Sequence, residues 1–205
     1  MTKRSTAHDI HKRDWPPVWT IGHSTRPIEV FVTLLTSNAI ASLVDVRSYP
    51  GSRRYPHYNR AALSTTLATE GIDYHHVAQL GGRRRPLPHS RNVAWQNSSF
   101  RAYADYMEST DFKAGIEELL ELAREKPTAI MCAEALWWRC HRGLIADHLK
   151  SNGSPVTHII DAAHTEIHPY TAAANIIDGQ LSYSGLLPES PPHVFRTRRD
   201  KGNPS

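Results

Sequence analysis

The sequence predicts a single α/β domain: a mostly parallel, open sheet of about five strands with helices on both faces, a Rossmann-like three-layer arrangement. Three observations predict it. Short apolar runs alternate along the chain with longer segments whose apolar residues recur at helical spacing. The length, 205 residues, suits one domain. Hydrophobic residues make up 40% of the chain and charged residues 21%, enough for a packed core and too apolar for global disorder.

The elements follow in order. Val18 to Gly22 is a short apolar strand. Thr25 is the expected cap of the next helix, with Pro27 in its first turn and an apolar stripe of Val30, Phe31, Leu34 and Leu35. Ser42 to Val46 is strand two. Ala61 to Glu70 is a helix stopped by Gly71. Asp73 to Val77 is strand three, and an arginine-rich loop follows it. Phe100 to Met107 reads as a helix capped by Ser98, on which Tyr103, Tyr106 and Met107 are packing residues. Phe112 to Glu125 is a stronger helix, with Ile116, Leu119, Leu120 and Ala123 on one face. Thr128 to Cys132 is a buried strand, Cys140 to Lys150 a helix ending near Gly153, and Val156 to Ile160 the last parallel strand. Residues 1–16 are expected to be a flexible arm, 17–187 the domain, and 188–205 a disordered basic tail rich in proline.

The bulk features exclude several classes. Two cysteines, eight positions apart, do not make a disulfide scaffold. The polar first residues lack the apolar run of a signal peptide. No stretch approaches the roughly 20 apolar residues that cross a bilayer. The expected location is therefore cytoplasmic, with no membrane partner. No GxGxxG follows strand one and no Walker-type loop is present, so no cofactor is expected. The net charge of +4 fits an anionic partner, and the clustering of the arginines says more than the total.

In open α/β sheets, ligands bind outside the carboxyl ends of the strands. The segments there carry most of the chain's reactive side chains. Cys132 ends a buried strand. Cys140 is expected near a helix N-terminus, beside Arg139, His141 and Arg142, where a thiol is easier to ionise. Glu134 is a candidate acid, base or nucleophile. The candidate catalytic residues are thus Cys132, Glu134, Cys140, His141 and Arg142. The competing readings are core packing for Cys132, a structural role for Cys140, and a cap or ion pair for Glu134. The cysteine spacing is not that of a structural zinc site, and no metal is expected.

The segment Asp45 to Arg60 interleaves arginines with tyrosines, and Gly81-Gly82 precede three arginines. Arg47, Arg53, Arg54, Arg83 and Arg84 are candidates to hold phosphate, with Tyr58 offering a ring face to a base. Asp45 interrupts an apolar strand, which suggests an arginine partner such as Arg47 or Arg142, or a satisfied buried carboxylate. His23 and Ser24 complete the candidate binding set, although a helix-entry turn is the plainer reading of that segment.

Together these segments resemble the domain-of-unknown-function family 488. The matching pieces are TIGHST (Thr20 to Thr25), LVDVRSYPGSRR (Leu43 to Arg54), GIDYHHVAQLGGRRR (Gly71 to Arg85), SFRAYADYM (Ser99 to Met107), MCAEALWWRCHRGLIADHL (Met131 to Leu149) and GSPVTHI (Gly153 to Ile159). The resemblance spans roughly residues 18–185, and the CAE and CHR pair is its most specific part. Trp137 departs from it, because the family often has proline there; a bulkier or more mobile loop is expected. The resemblance implies the fold and the choice of segments, and no reaction.

The favoured reading is an enzyme, a hydrolase or transferase, acting on a nucleic acid, nucleotide or modified base. Two alternatives stand beside it. One is a thiol redox or sensor protein using Cys132 and Cys140, which needs their α-carbons about 4.4–6.8 Å apart. The other is a non-catalytic nucleic-acid-binding module.

Overall fold

The computed structural model describes residues 15–185. The expected tail, and the expected arm apart from Trp15 and Pro16, lie outside the described residues. The chain forms β1 (Val18–Gly22), α1 (Ile28–Ser37), β2 (Ser42–Asp45), α2 (Arg60–Thr69), β3 (Asp73–His76), α3 (Ser98–Tyr106) and α4 (Thr110–Glu125). It continues through β4 (Thr128–Cys132), α5 (Arg142–Ser151), β5 (Val156–Ile159), β6 (Thr165–Ile167), β7 (Asn175–Ile177) and β8 (Gln180–Ser182). Six strands make one sheet in the order β3-β2-β4-β1-β5-β6. The first five are parallel, and β6 adds an antiparallel edge to β5. β7 and β8 form a separate hairpin.

Side-chain alternation along the strands divides the core into two layers. Val44, Val46, Ile130 and Cys132 face one way, against Tyr103 of α3, Phe112 and Leu119 of α4, and Leu144 and Leu149 of α5. Leu43, Ala129, Met131 and Ile21 face the other way, against Phe31 and Leu35 of α1 and Leu63 and Leu67 of α2. This is the three-layer arrangement that the strand and helix alternation predicts.

The helix ends follow local chemistry. α4 starts at Ser109, whose hydroxyl accepts from the Phe112 amide at 3.2 Å, and carries Asp111 in its first turn and Arg124 in its last. α3 is capped by Asn97, which accepts from Ser99 and Phe100, so Ser98 is its first residue and not its cap. Thr25 does not cap α1. Pro27 takes the capping position without a side-chain bond, since its ring presets the entry angle and it has no N–H to satisfy. α5 begins at Arg142, two residues later than expected, because Cys140 is extended (φ −134°, ψ 151°). Among the described residues no helix is long and apolar enough to cross a membrane.

Candidate active site at the carboxyl end of the sheet

β4 lies between β2 and β1. The helix after β4 packs on one face of the sheet, and the helices after β1 and β2 pack on the other. A crevice therefore opens above the end of β4, where the strand connections part. Cys132 is the last residue of that strand.

The loop from Ala133 to His141 leaves Cys132 and returns to it. Trp137 anchors the loop. It is buried, its ring stacks on His158 (centroids 4.4 Å apart, 7° between planes), and its Nε1–H donates to Glu166 Oε2 at 3.0 Å. Of the bulkier or more mobile loop expected at Trp137, the structure shows the bulkier one: the indole fills the space beneath the loop and holds it down. Gly22 makes the return possible, because a Cβ there would lie 1.8 Å from the Glu134 carbonyl oxygen. The result is a Cys132 Sγ to Cys140 Sγ separation of 2.8 Å between two free thiols.

Arg142 organises this pair. Its Nε donates to Cys132 Sγ at 2.9 Å, Nη1 to Thr20 Oγ1 at 3.1 Å, and Nη2 to the Glu134 and Ala135 carbonyls at 2.8 and 3.2 Å. Its backbone amide donates to Cys140 Sγ at 3.4 Å. The side chain is 1% exposed. Every acceptor it meets is a sulfur, a hydroxyl or a carbonyl. A buried guanidinium stays charged and needs a compensating anion. The ionisable groups it touches are the thiols.

The two thiols respond in opposite senses. Burial opposes ionisation of Cys140, but the Cys132 sulfur and the Arg142 guanidinium and amide outweigh it and bring the pKa down to about 7. Burial, then the neighbouring Cys140 sulfur, push Cys132 well above the usual thiol range. Both directions describe a pair that gives up one proton easily and keeps the second.

His141 sits against Cys140. Its Nε2–H donates to the Val46 carbonyl at 3.0 Å, which leaves Nδ1 as a lone pair 3.4 Å from Cys140 Sγ. Burial lowers its pKa, so the ring is neutral and able to accept the thiol proton. Gly82 lets the ring in, since a Cβ there would meet His141 Nδ1 at 2.4 Å.

A second buried arginine, Arg47, lies at the same end of the sheet, just after β2. Arg47 donates from Nε to Asp45 Oδ1 at 2.9 Å and from Nη2 to Asp45 Oδ2 at 2.6 Å. Nη2 also donates to the Tyr58 carbonyl at 2.8 Å, and Nη1 lies 3.2 Å from His23 Nε2. Tyr74 O–H donates to the same carboxylate at 2.7 Å. Asp45 is thus the satisfied, arginine-paired carboxylate that the sequence allowed.

Above these groups lies a two-lobed cleft of about 480 and 590 Å³. The thiols, His141, Arg84 and Phe100 line the first lobe. His23, Ser24, Arg54 and Tyr55 line the second. Arg47, Tyr49, Arg83, Glu134 and Arg139 border both. Tyr49 is 72% exposed, with the Arg83 guanidinium 5.5 Å from its ring centre.

The structure therefore gathers most of the sequence-predicted residues and reassigns several. Cys132, Cys140, His141 and Arg142 are in mutual contact. Glu134 is at the site by its backbone: its amide donates to Cys132 Sγ at 3.3 Å, while its side chain is exposed to the cleft. Arg47 is committed to Asp45, so it shapes the wall and has little left for phosphate. Tyr58 is buried, with its ring stacked on His23 and its hydroxyl bonded to the Arg26 carbonyl, and offers no face to a base. Arg84 lies 3.5 Å over the Tyr106 ring and donates to the Gln79 carbonyl. Arg53 lines neither lobe. Sequence reasoning missed Thr20, Asp147, His158 and His168, which lie behind Arg142; Arg139 and Tyr49, which belong to the segments it singled out, lie at the rim. Thr20 had a usable signal: it is a polar residue inside an otherwise apolar strand.

Fold and site define a class: a three-layer α/β protein with a buried, arginine-bound dithiol beneath a basic cleft. The chain belongs to the family described as Domain of unknown function DUF488, which matches residues 27–149, more than half of its length. The match is narrower than the resemblance, and leaves out Thr20 to Thr25 and Gly153 to Ile159. No curated protein and no solved structure matches the chain significantly.

Proposed function

We propose that this protein is a thiol-dependent enzyme, a hydrolase or transferase, whose substrate is a nucleotide, a nucleic acid or a modified base. One observation carries the reading: Arg142 is buried, has no carboxylate partner among the described residues, and points its Nε at a sulfur. That guanidinium beside the thiol pair, together with the Arg142 amide on Cys140 Sγ, favours one thiolate, on Cys140, at neutral pH. Cys140 is the nucleophile, because its ionisation is the easier one and its sulfur meets the His141 lone pair. In the reaction, His141 Nδ1 takes the thiol proton and the sulfur lone pair forms a bond to the electrophilic atom of the substrate. The bond to the leaving group breaks, and the leaving group departs with its electron pair and takes a proton from His141. Water or a second acceptor then releases the group from sulfur. Arg54, Arg83 and Arg139 draw a phosphate-bearing substrate into the cleft, and Tyr49 offers an exposed ring to a base.

The 2.8 Å sulfur contact also favours a second reading, a dithiol redox protein. There a hydroperoxide or another disulfide would accept two electrons while Cys132 and Cys140 lose two protons and join.

Alkylation of each cysteine by iodoacetamide against pH, read by mass spectrometry, tests both. The enzyme reading expects Cys140 to react with an apparent pKa near 7, and nucleotides or oligonucleotides to protect it. The redox reading expects a reversible loss of two hydrogens and no protection. Thiols inert in the folded protein at every pH would sink both.

A further inference from the structure

A line of buried hydrogen bonds leads away from the thiols into the core. Arg142 Nη1 donates to Thr20 Oγ1 at 3.1 Å. Thr20 Oγ1 lies 2.7 Å from His158 Nδ1, His158 Nε2 lies 2.9 Å from His168 Nδ1, and His168 Nε2 lies 2.9 Å from Asp147 Oδ1. Thr20, His158, His168 and Asp147 are all completely buried. They come from β1, β5, the end of β6 and α5, so the fold alone brings them into line.

The two ends dictate every proton. A guanidinium only donates and a carboxylate only accepts. His168 must therefore carry its proton on Nε2, toward Asp147, which leaves Nδ1 to accept. His158 must carry its proton on Nε2, toward His168, and accept at Nδ1. The Thr20 hydroxyl then donates to His158 and turns its lone pair to Arg142. No other arrangement of neutral rings satisfies all four bonds. The stacked Trp137 ring holds His158 in plane, and burial keeps that ring neutral by lowering its pKa to about 2. At the far end, Asp147 is fixed by the Thr171 amide and hydroxyl at 2.8 and 2.5 Å and by the Tyr183 hydroxyl at 2.8 Å. A buried carboxylate and a buried guanidinium usually meet directly, as Asp45 and Arg47 do. Here Thr20, His158 and His168 stand between them, with their hydrogen bonds running in one direction. The guanidinium is thereby pinned from behind, while its Nε remains on a sulfur.

We propose that Thr20, His158, His168 and Asp147 form a positioning relay that holds Arg142 against Cys132 and so sets the reactivity of the thiol pair. The proposal rests on the thiol-enzyme reading above. None of the four touches the sulfurs or the cleft, so they are positioning residues.

The joint next to Arg142 is the place to break it. Thr20→Val keeps the shape of the side chain and removes the hydroxyl, while Thr20→Ser keeps the hydroxyl. Iodoacetamide alkylation against pH is expected to show the apparent pKa of Cys140 raised by about one unit in Thr20→Val, roughly a tenfold slower reaction below neutrality, with Thr20→Ser close to the unaltered protein. A folded Thr20→Val protein with an unchanged thiol pKa would overturn the relay and leave the thiol site standing. Thiols that titrate in the unaltered protein like free cysteine would overturn the thiol reading and the positioning role with it. Nitrogen-15 NMR of the rings needs no variant and does not depend on thiol chemistry. It is expected to find the ring proton of His158 and of His168 on Nε2, with Nδ1 of each ring bare. A proton found on Nδ1 of either ring would overturn the relay.

Discussion

Arg47 and Arg142 are both buried at the carboxyl end of the sheet, and they are solved in opposite ways. Arg47 has its carboxylate beside it, gripped through two nitrogens, with Tyr74 completing the pair. Its charge is spent inside the wall. Arg142 is the more buried of the two, and its Nε ends on sulfur. Its nearest carboxylate along the hydrogen-bond network is Asp147, three groups away. The lesson is that burial alone does not make an arginine structural or functional. What matters is whether the anion opposite is permanent, like a carboxylate, or conditional, like a thiol that must first lose a proton.

The comparison can be broken at four places. The largest effect is expected from Asp45→Ala, which leaves Arg47 buried without its partner. A loss of about 3–5 kcal/mol in urea denaturation is expected, with little change in the thiol pKa of the folded protein. A clear pKa change there would mean that the two arginines are electrically one site. Arg142→Met should do the reverse. The thiols revert to their neutral forms, so stability falls by only about 1–2 kcal/mol, while the apparent pKa of Cys140 rises by about two units or more. The sign is set by the acid: in the unaltered protein the thiolate fraction, and with it the alkylation rate, rises through about pH 7 and is lost as the pH falls below it. In Arg142→Met the same rise is displaced upward, and an unmoved pH profile would contradict the central role given to Arg142.

Gly22→Ala is expected to cost about 1–3 kcal/mol, because its Cβ drives the Glu134 backbone away from Cys132. Thermal melting checks the stability, and slower alkylation of Cys140 checks the link to the site. The smallest effect belongs to the rim. Arg83→Ala should weaken oligonucleotide binding modestly and reduce the salt slope by about one, read by titration at several salt concentrations. A rim variant that abolishes binding outright would place the main anion contact on Arg83 alone and not on Arg54, Arg83 and Arg139 together.

The hairpin of β7 and β8 was legible and passed over. Asp178-Gly179 joins its strands with positive φ at both residues, the dipeptide and geometry of a tight hairpin turn. The edge strand β6 carried no such signal, because three residues with no long apolar run look like loop until β5 is there to pair with them.

The sequence by itself determined the alternation of strands and helices, because apolar spacing is a local property of the chain. It also determined which segments meet at the carboxyl ends of the strands, because parallel connectivity carries every strand-to-helix loop to the same edge. Five strands and the cluster Cys132, Cys140, His141 and Arg142 follow from those two facts. Only the tertiary structure decided which arginine owns a carboxylate. Asp45 and Arg47 are two residues apart and pair, whereas Arg142 and Asp147 share one helix and are linked only through Thr20, His158 and His168. Hydrogen-bond partners at separations of more than a hundred residues, such as Arg142 and Thr20, are set by how the layers pack, and no local pattern encodes them.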